Sequence, residues 1–207
     1  MGLFYSDAFR DGRSWNGHEH NVLLRNEGAD ASGALRFTDV GMALGADAKK
    51  DGRGLALADF DNDGDLDIVV NNNPSDTTGR GDRMGPTFLR NDVGQARNWL
   101  ALELEGRRSN RDGIGAVIRL EAGGRRQMRH VVLGSSYASQ QSARLYFGLG
   151  DASRVDTLTV QWPGKARQQR FEHIGARKLM RITEDVGMEE IPLPSKRTAL
   201  HLSADAR

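Results

Sequence analysis

The chain has 207 residues, of which 38% are hydrophobic and 6% aromatic, a composition that allows one large or two small domains. It contains no cysteine, which excludes a disulfide framework, and no apolar run of about 18 residues that would predict a transmembrane helix. The net charge of +1 hides an asymmetry: residues 1–96 carry 10 basic and 16 acidic side chains, and residues 97–185 carry 16 and 9. This asymmetry predicts two domains. The basic side chains of the second half are scattered among few aromatics, which argues against nucleic-acid binding.

The first 20 residues are rich in glycine and aspartate and predict an irregular segment. Residues 1–7 lack the basic start and apolar stretch of a signal peptide, so this segment does not encode export. His18 and His20 would share one face of a strand and form a metal pair, but no third ligand lies nearby in sequence. A polar approach to a strand is the favoured interpretation. Strands are then predicted at 21–25 and 36–40.

The next feature is an acidic loop of nine residues. Its five aspartates alternate with other residues: Asp59, Asp61, Asp63, Asp65 and Asp67. Ca²⁺ takes six to eight oxygen ligands, so the side chains at loop positions 1, 3, 5 and 9 and the carbonyl of Asp65 predict a calcium site. Gly64 permits the sharp reversal that such a loop needs. A solvated acidic turn is the alternative, although it gives no reason for this spacing.

The loop is not an EF-hand. An EF-hand needs a bidentate glutamate at position 12, where this chain has Val70, and a helix on each side. The flanking residues 54–58 alternate and residues 66–70 are β-branched, which predicts a strand–loop–strand hairpin. A loop rich in glycine, aspartate and arginine follows at 71–85, and a further strand is predicted at 87–92.

A repeat frames this hairpin. The tripeptide Leu24-Arg25-Asn26 recurs as Leu89-Arg90-Asn91, 65 residues later. A period of about four strands is typical of a propeller blade. Residues 21–92 resemble an FG-GAP (VCBS) repeat, the calcium-binding blade of integrin-type β-propellers. The resemblance implies that the five aspartates named above occupy the metal-ligand positions.

The second half predicts only strands. The run at 98–106 alternates, with Leu100, Leu102 and Leu104 on one face. Six more strands are predicted at 115–122, 127–133, 144–147, 155–162, 168–174 and 178–182. Seven short strands separated by turns such as Gly123-Gly124 predict a β-sandwich or barrel.

The motifs of this half resemble a specific family. They are NWL (98–100), SNRDGIGA (109–116), GSSYASQ (134–140), FGLG (147–150), VD (155–156) and WPG (162–164). This order and spacing are similar to the ASPIC/UnbV domain, which follows FG-GAP repeats in cartilage acidic protein and bacterial relatives. The resemblance implies an adhesion-type protein that is secreted or associated with the cell envelope. The predicted organisation is an all-β chain with an incomplete β-propeller of about one blade at 1–96, a β-sandwich-like ASPIC/UnbV domain at 97–185 and a flexible tail at 186–207.

A single blade cannot bury both of its faces. The chain is therefore expected to be the C-terminal piece of a longer propeller, or to pack its blade on its own second domain or on another copy. Self-association or contact with missing blades follows from either arrangement.

Two functions are compatible with these features. The favoured one is a non-catalytic interaction module with a structural Ca²⁺, whose partner is a protein or an acidic glycan. The alternative, implied by the UnbV name, is an accessory or catalytic protein of an enediyne-type natural-product pathway with a calcium-organised pocket. Its candidate groups are His130, Ser135, Ser136 and Tyr137, but neither a nucleophile elbow nor an orienting acid is visible.

The segment 134–141 is the predicted recognition loop. Its Tyr137 would supply contact area, and three preceding arginines would attract an acidic partner: Arg125, Arg126 and Arg129. In the alternative interpretation Tyr137 packs inward and the segment only turns the chain.

Overall fold

A computed structural model describes residues 20–50, 52–72, 85–132, 134–164 and 168–194. Over these ranges the chain forms strands and one short 3₁₀ helix, with no α-helix, so the predicted all-β class is confirmed. No helix in the described ranges has the length and apolar character needed to span a membrane.

The strands follow the predicted order closely. The first five are β1 (Leu24–Ala29), β2 (Leu35–Asp39), β3 (Gly52–Ala58), β4 (Asp67–Asn72) and β5 (Thr87–Leu89), followed by the 3₁₀ helix η1 (Gly94–Ala96). The remaining eight are β6 (Asn98–Glu105), β7 (Val117–Ala122), β8 (Arg125–His130), β9 (Leu145–Gly150), β10 (Arg154–Gln161), β11 (Gln168–Gly175), β12 (Lys178–Thr183) and β13 (Gly187–Ile191).

The chain divides into two compact units, the first drawn from Met1–Leu55 and Val69–Leu89, the second from Ala56–Ile68 and Arg90–Arg207. The acidic loop between β3 and β4 therefore belongs to the second unit, although the sequence predicted it as part of a domain at 1–96. In the first unit β1 and β2 form an antiparallel hairpin. Strands β3, β4 and β5 form a three-stranded sheet in that order. The predicted four-stranded blade is thus two separate sheets in this structure.

The second unit holds two four-stranded sheets. Their strand orders are β11-β10-β7-β8 and β13-β12-β6-β9. Strand β6 pairs antiparallel with β9 and parallel with β12, whereas β10 pairs antiparallel with both of its neighbours. The sheets do not close into a barrel, so of the two predicted alternatives the barrel is wrong.

Side chains of both sheets meet in one core. Leu100 and Leu102 of β6 are fully buried there and Leu104 packs against them, as the alternation predicted. Strand β10 of the other sheet contributes Leu158 and Val160 to the same cluster. A period of two places alternate side chains on one face, so each central strand buries one set of apolar residues between the sheets.

The opposite face of the β6 sheet also carries an apolar cluster. Trp99 and Ala101 of β6 and Leu179 of β12 are buried there, and Tyr146 of β9 packs against them. This second cluster explains why four successive residues of β6, at 99–102, are buried although the strand alternates between two faces.

The C-terminal boundary differs from the prediction. Strand β13 pairs antiparallel with β12. The predicted flexible tail at 186–207 is therefore wrong for residues 187–191, and residues 195–207 lie outside the described ranges. The sequence GMEEI alternates poorly and places two glutamates side by side, a weak strand signal; pairing with β12 overrides it.

Candidate metal centre

The acidic loop curls around its own carboxylates. Backbone N–H groups of Asp63 and Gly64 donate to Asp59 Oδ1 and Oδ2, both at 3.0 Å, and the N–H of Phe60 donates to Asp67 Oδ2 at 3.0 Å. Gly64 has a φ of +103°, in the left-handed region predicted for the reversal. The hydrogen bonds across the loop bring its first and last aspartates together.

Three aspartates converge in this curl. One carboxylate oxygen each from Asp59, Asp61 and Asp67 lie within 4.8 Å of one another. Two oxygens bound to the same Ca²⁺ at roughly 2.3–2.6 Å can be at most about 5 Å apart, so the spacing fits one ion. Asp67 is fully buried, and Oδ1 of Asp61 is buried with no hydrogen-bond partner within the described ranges. A buried acceptor without a partner lowers the stability of the folded chain, so this atom is a candidate ligand for a cation.

The other two predicted ligands lie outside this set. Asp63 Oδ1 accepts a bond from the N–H of Asp65 at 3.3 Å. Asp65 is buried, and its Cβ lies against Gly94, where an added methyl group would be only 2.6 Å away. The ligand roles of Asp63 and of the Asp65 carbonyl remain predictions.

Asn91, two residues after the end of β5, holds the end of the loop. The backbone N–H of Asn91 donates to Asp67 Oδ1 at 2.8 Å, and its side-chain amide donates to the carbonyl of Leu66 at 3.4 Å. Asn91 belongs to the second copy of the repeated tripeptide. The repeat therefore has a structural purpose here, since it fixes the last aspartate of the loop.

The two copies of the tripeptide make the same local bonds. In the first, Arg25 pairs with Glu27 at 2.7 Å and Asn26 Oδ1 accepts from the N–H two residues later at 2.8 Å. In the second, Arg90 pairs with Asp92 at 2.7 Å and Asn91 Oδ1 accepts from the N–H two residues later at 3.1 Å. The sequence repeat is thus also a repeat of conformation.

The start of the loop is held in place by residues that are distant in the sequence. The hydroxyl of Tyr146 donates to Asp59 Oδ2 at 2.9 Å. Burial, together with the charge of Asp59, raises the pKa of Tyr146 well above its ordinary value against the opposing effect of Arg144. The hydroxyl is therefore protonated and available as a donor. The N–H of Leu57 at the end of β3 also donates to the side chain of Gln141.

Trp99 packs directly on the reversal. A Cβ built on Gly64 would lie 2.2 Å from the Trp99 ring, so the indole occupies the space that any other residue would need. The ring of Trp99 lies 6.3 Å from that of Tyr146, at an angle of 42°. Two independent features therefore require glycine at position 64: its positive φ and the close contact with Trp99.

Arg90 lies close enough to interact with the carboxylates of the loop. The pKa of Arg90 is raised by its hydrogen bond and charge interaction with Asp92, and more weakly by the charges of Asp61 and Asp67. Arg90 directs its guanidinium Nε to Asp92, so it offsets the charge of the loop only from a distance.

A buried glutamate that no sequence pattern indicated organises a second turn. Glu184 is fully buried, and its carboxylate accepts the backbone N–H groups of Arg107, Arg108 and Ser109 at 2.7–2.9 Å and the Ser109 hydroxyl at 2.9 Å. Burial alone would raise the pKa of Glu184, but these hydrogen bonds outweigh it and lower the pKa to about 2. The turn that it holds, 107–109, ends on the first residue of the motif at 109–116 that suggested a family.

Residues 106–189 match the family model ASPIC and UnbV. The match covers less than half of the chain and confirms that part of the resemblance. The ASPIC and UnbV region starts just after β6 and ends within β13. The matched region therefore leaves out β6, an inner strand of the sheet β13-β12-β6-β9. The comparison with curated proteins gave no match.

The predicted recognition loop lies within the ASPIC and UnbV region. Tyr137 is 73% exposed, so the inward-packing interpretation is wrong. His130 is also exposed, at the end of β8. Of the predicted histidine pair, His18 lies outside the described residues, and Nδ1 of His20 lies 2.9 Å from the carbonyl oxygen of Asp47.

Proposed function

We propose that the chain is a calcium-binding interaction module in which one Ca²⁺ closes the loop at 59–67 and has a structural role. The observation that carries this proposal is the convergence of the Asp59, Asp61 and Asp67 carboxylates. Oδ1 of Asp61 is buried and has no hydrogen-bond partner among the residues that the structure describes. The ligands that these residues would offer are all oxygens, the chemistry that Ca²⁺ prefers.

Electrostatics supports an ion at this position. Two unit charges 4.8 Å apart repel by about 3.5 kcal/mol at an effective dielectric constant of 20, and the three carboxylates make three pairs whose nearest oxygens lie within that distance. Backbone N–H donors offset part of this repulsion, and Arg90 offsets part from a distance. A bound Ca²⁺ would remove the remainder. Mg²⁺ fits less well because it demands a tighter octahedron and keeps its waters.

The proposed architecture of the first unit is a blade of an incomplete propeller, in the manner of an FG-GAP repeat. The matching bonds around Asn26 and Asn91 support a repeated unit. The hairpin of β1 and β2 is exposed along its whole length, and its pairing register places Leu24, Leu35 and Phe37 on one face, which Asn26 and Asp39 share. An isolated hairpin is marginal in water, so a neighbouring blade or a second copy is the proposed cover.

The proposed recognition surface is the segment at 134–141. Tyr137 is exposed there as an aromatic anchor, and Arg125 and Arg129 on β8 are exposed cations that suit an acidic glycan or protein. Arg126 contributes less, because it pairs with Glu121 at 2.8 Å. A location outside the cytoplasm is part of this proposal, and it rests on the resemblance to FG-GAP and ASPIC/UnbV proteins.

Thermal melts test the ion. If free calcium is 100-fold above Kd, binding adds about 2.7 kcal/mol to the free energy of unfolding, so the wild type should melt at a higher temperature in calcium than in EDTA. Asp61→Asn should remove most of this difference. Asp151→Asn serves as the control, because Asp151 is an exposed acid of the same unit and should leave the difference intact. Equal melting temperatures of the wild type with calcium and with EDTA would contradict the proposal.

A further inference from the structure

The carboxylate of Asp59 is held in one orientation by three donors. Its Oδ1 accepts the N–H of Asp63, and its Oδ2 accepts both the N–H of Gly64 and the hydroxyl of Tyr146. The first two donors belong to the loop itself. The third comes from β9, 87 residues further along the chain.

Tyr146 is in turn held by a network that crosses its sheet. The Arg144 Nη1 lies 3.4 Å from the Tyr146 hydroxyl, while the Arg144 Nε and Nη2 donate to Glu103 Oε1 of β6 at 3.2 and 2.9 Å. Arg181 of β12 donates to the other oxygen of Glu103 at 3.3 Å. Because β9, β6 and β12 are hydrogen-bonded neighbours, the network connects three strands of one sheet to Asp59.

We propose that Tyr146 is a positioning residue of the cation site, which orients Asp59 so that the affinity for calcium depends on the β6 sheet as well as on the loop. This inference rests on the proposed function, because it concerns the same ion. Tyr146 acts through Asp59. Groups that hydrogen-bond to a ligating carboxylate fix its orientation, and their removal typically weakens metal affinity by 10- to 100-fold.

The alternative role of Tyr146 is packing. Its ring is half-buried against the cluster of Trp99 and Leu179, so a large change at this position would disturb the sheet whatever the hydroxyl does. Tyr146→Phe separates the two roles, because it keeps the ring and removes only the donor. Tyr137→Phe is the matched control, since it removes the hydroxyl of an exposed tyrosine in the same unit.

Calcium titration by calorimetry on the full chain, after removal of residual calcium, gives the decisive comparison. Tyr137→Phe should bind with the wild-type Kd and Tyr146→Phe about tenfold more weakly. In an Asp59→Asn background, Tyr146→Phe should change the Kd less than twofold, because its effect passes through Asp59. This last result would not follow from a packing role.

The outcomes distinguish the two proposals. A wild type that does not bind calcium overturns the proposed function and this inference with it. A wild type that binds calcium, with Tyr146→Phe within twofold of it, overturns only the role of Tyr146. If circular dichroism shows that Tyr146→Phe does not fold, Arg144→Met replaces it; weaker calcium binding then supports the inference and an unchanged Kd overturns it.

Discussion

Replacement of Glu184 by glutamine should destabilise the second unit in a way that depends on pH. Glutamine has nearly the same shape but no charge, and its amide group would face the N–H donors that the carboxylate now accepts. A pKa lowered from 4.5 to about 2 corresponds to roughly 3 kcal/mol, at about 1.36 kcal/mol per unit. The donors lie on an exposed turn, where solvent screening reduces this value, so we expect Glu184→Gln to lower the free energy of unfolding by about 2 kcal/mol at pH 7.

The pH dependence has a defined sign. Because the folded-state pKa of Glu184 is depressed, its contribution is complete above the unfolded pKa of about 4.5 and is lost as pH falls through about 2. The difference between wild type and Glu184→Gln should therefore be constant from pH 7 to about 5 and shrink between about pH 4.5 and 2.

Urea unfolding, followed by tryptophan fluorescence, to which the buried Trp99 and Trp162 both contribute, measures this difference at each pH. Glu172→Gln is the control, because Glu172 is a half-exposed partner of Arg170 and should cost at most about 0.5 kcal/mol. A Glu184→Gln variant as stable as the control at pH 7 would refute the reasoning. So would a difference that stays constant down to pH 2.5.

Two further substitutions test the packing of the loop and the exposure of the recognition segment. Gly64→Ala should lower the free energy of unfolding by more than about 3 kcal/mol, because it adds the strain of a positive φ to a contact of 2.2 Å with Trp99. Gly124 has a φ of +74° but open space around it, so Gly124→Ala should lower the same quantity by only about 1–2 kcal/mol in the same urea assay. If the two substitutions lowered the free energy of unfolding equally, the contact with Trp99 would not be the reason that position 64 needs glycine. Tyr137→Ala should change stability by less than about 0.5 kcal/mol, and a loss of several kcal/mol in thermal or urea melts would mean that the side chain packs in the core.

Much of the fold was predictable because local patterns decide it. The alternation of Leu100, Leu102 and Leu104 predicted which face of β6 enters the core, and glycine pairs such as Gly123-Gly124 predicted the turns between strands. The acidic loop was also predictable, since its spacing and the glycine at position 6 are properties of nine consecutive residues. The predicted strands at 54–58 and 66–70 correspond to β3 and β4, each shifted by a residue or two.

The contacts that join distant segments were not predictable from such patterns. Nothing near Asp59 in sequence indicates that its partner is Tyr146, and nothing near Gly64 indicates that Trp99 covers it. These contacts place the loop in the second unit, against the prediction that it belongs to a domain at 1–96. Glu184 was missed for the same reason, because a single glutamate after a strand gives no sign of the turn that it binds 75 residues earlier.

The most direct test of the central claim is the amount of calcium that the purified chain binds. Equilibrium dialysis at a fixed free calcium concentration should give one ion per chain for the wild type, and none at the same concentration for the double variant Asp61→Asn, Asp67→Asn. Circular dichroism establishes that the variant retains its strands. A wild type that binds no calcium, or a folded double variant that still binds one ion, would contradict the account.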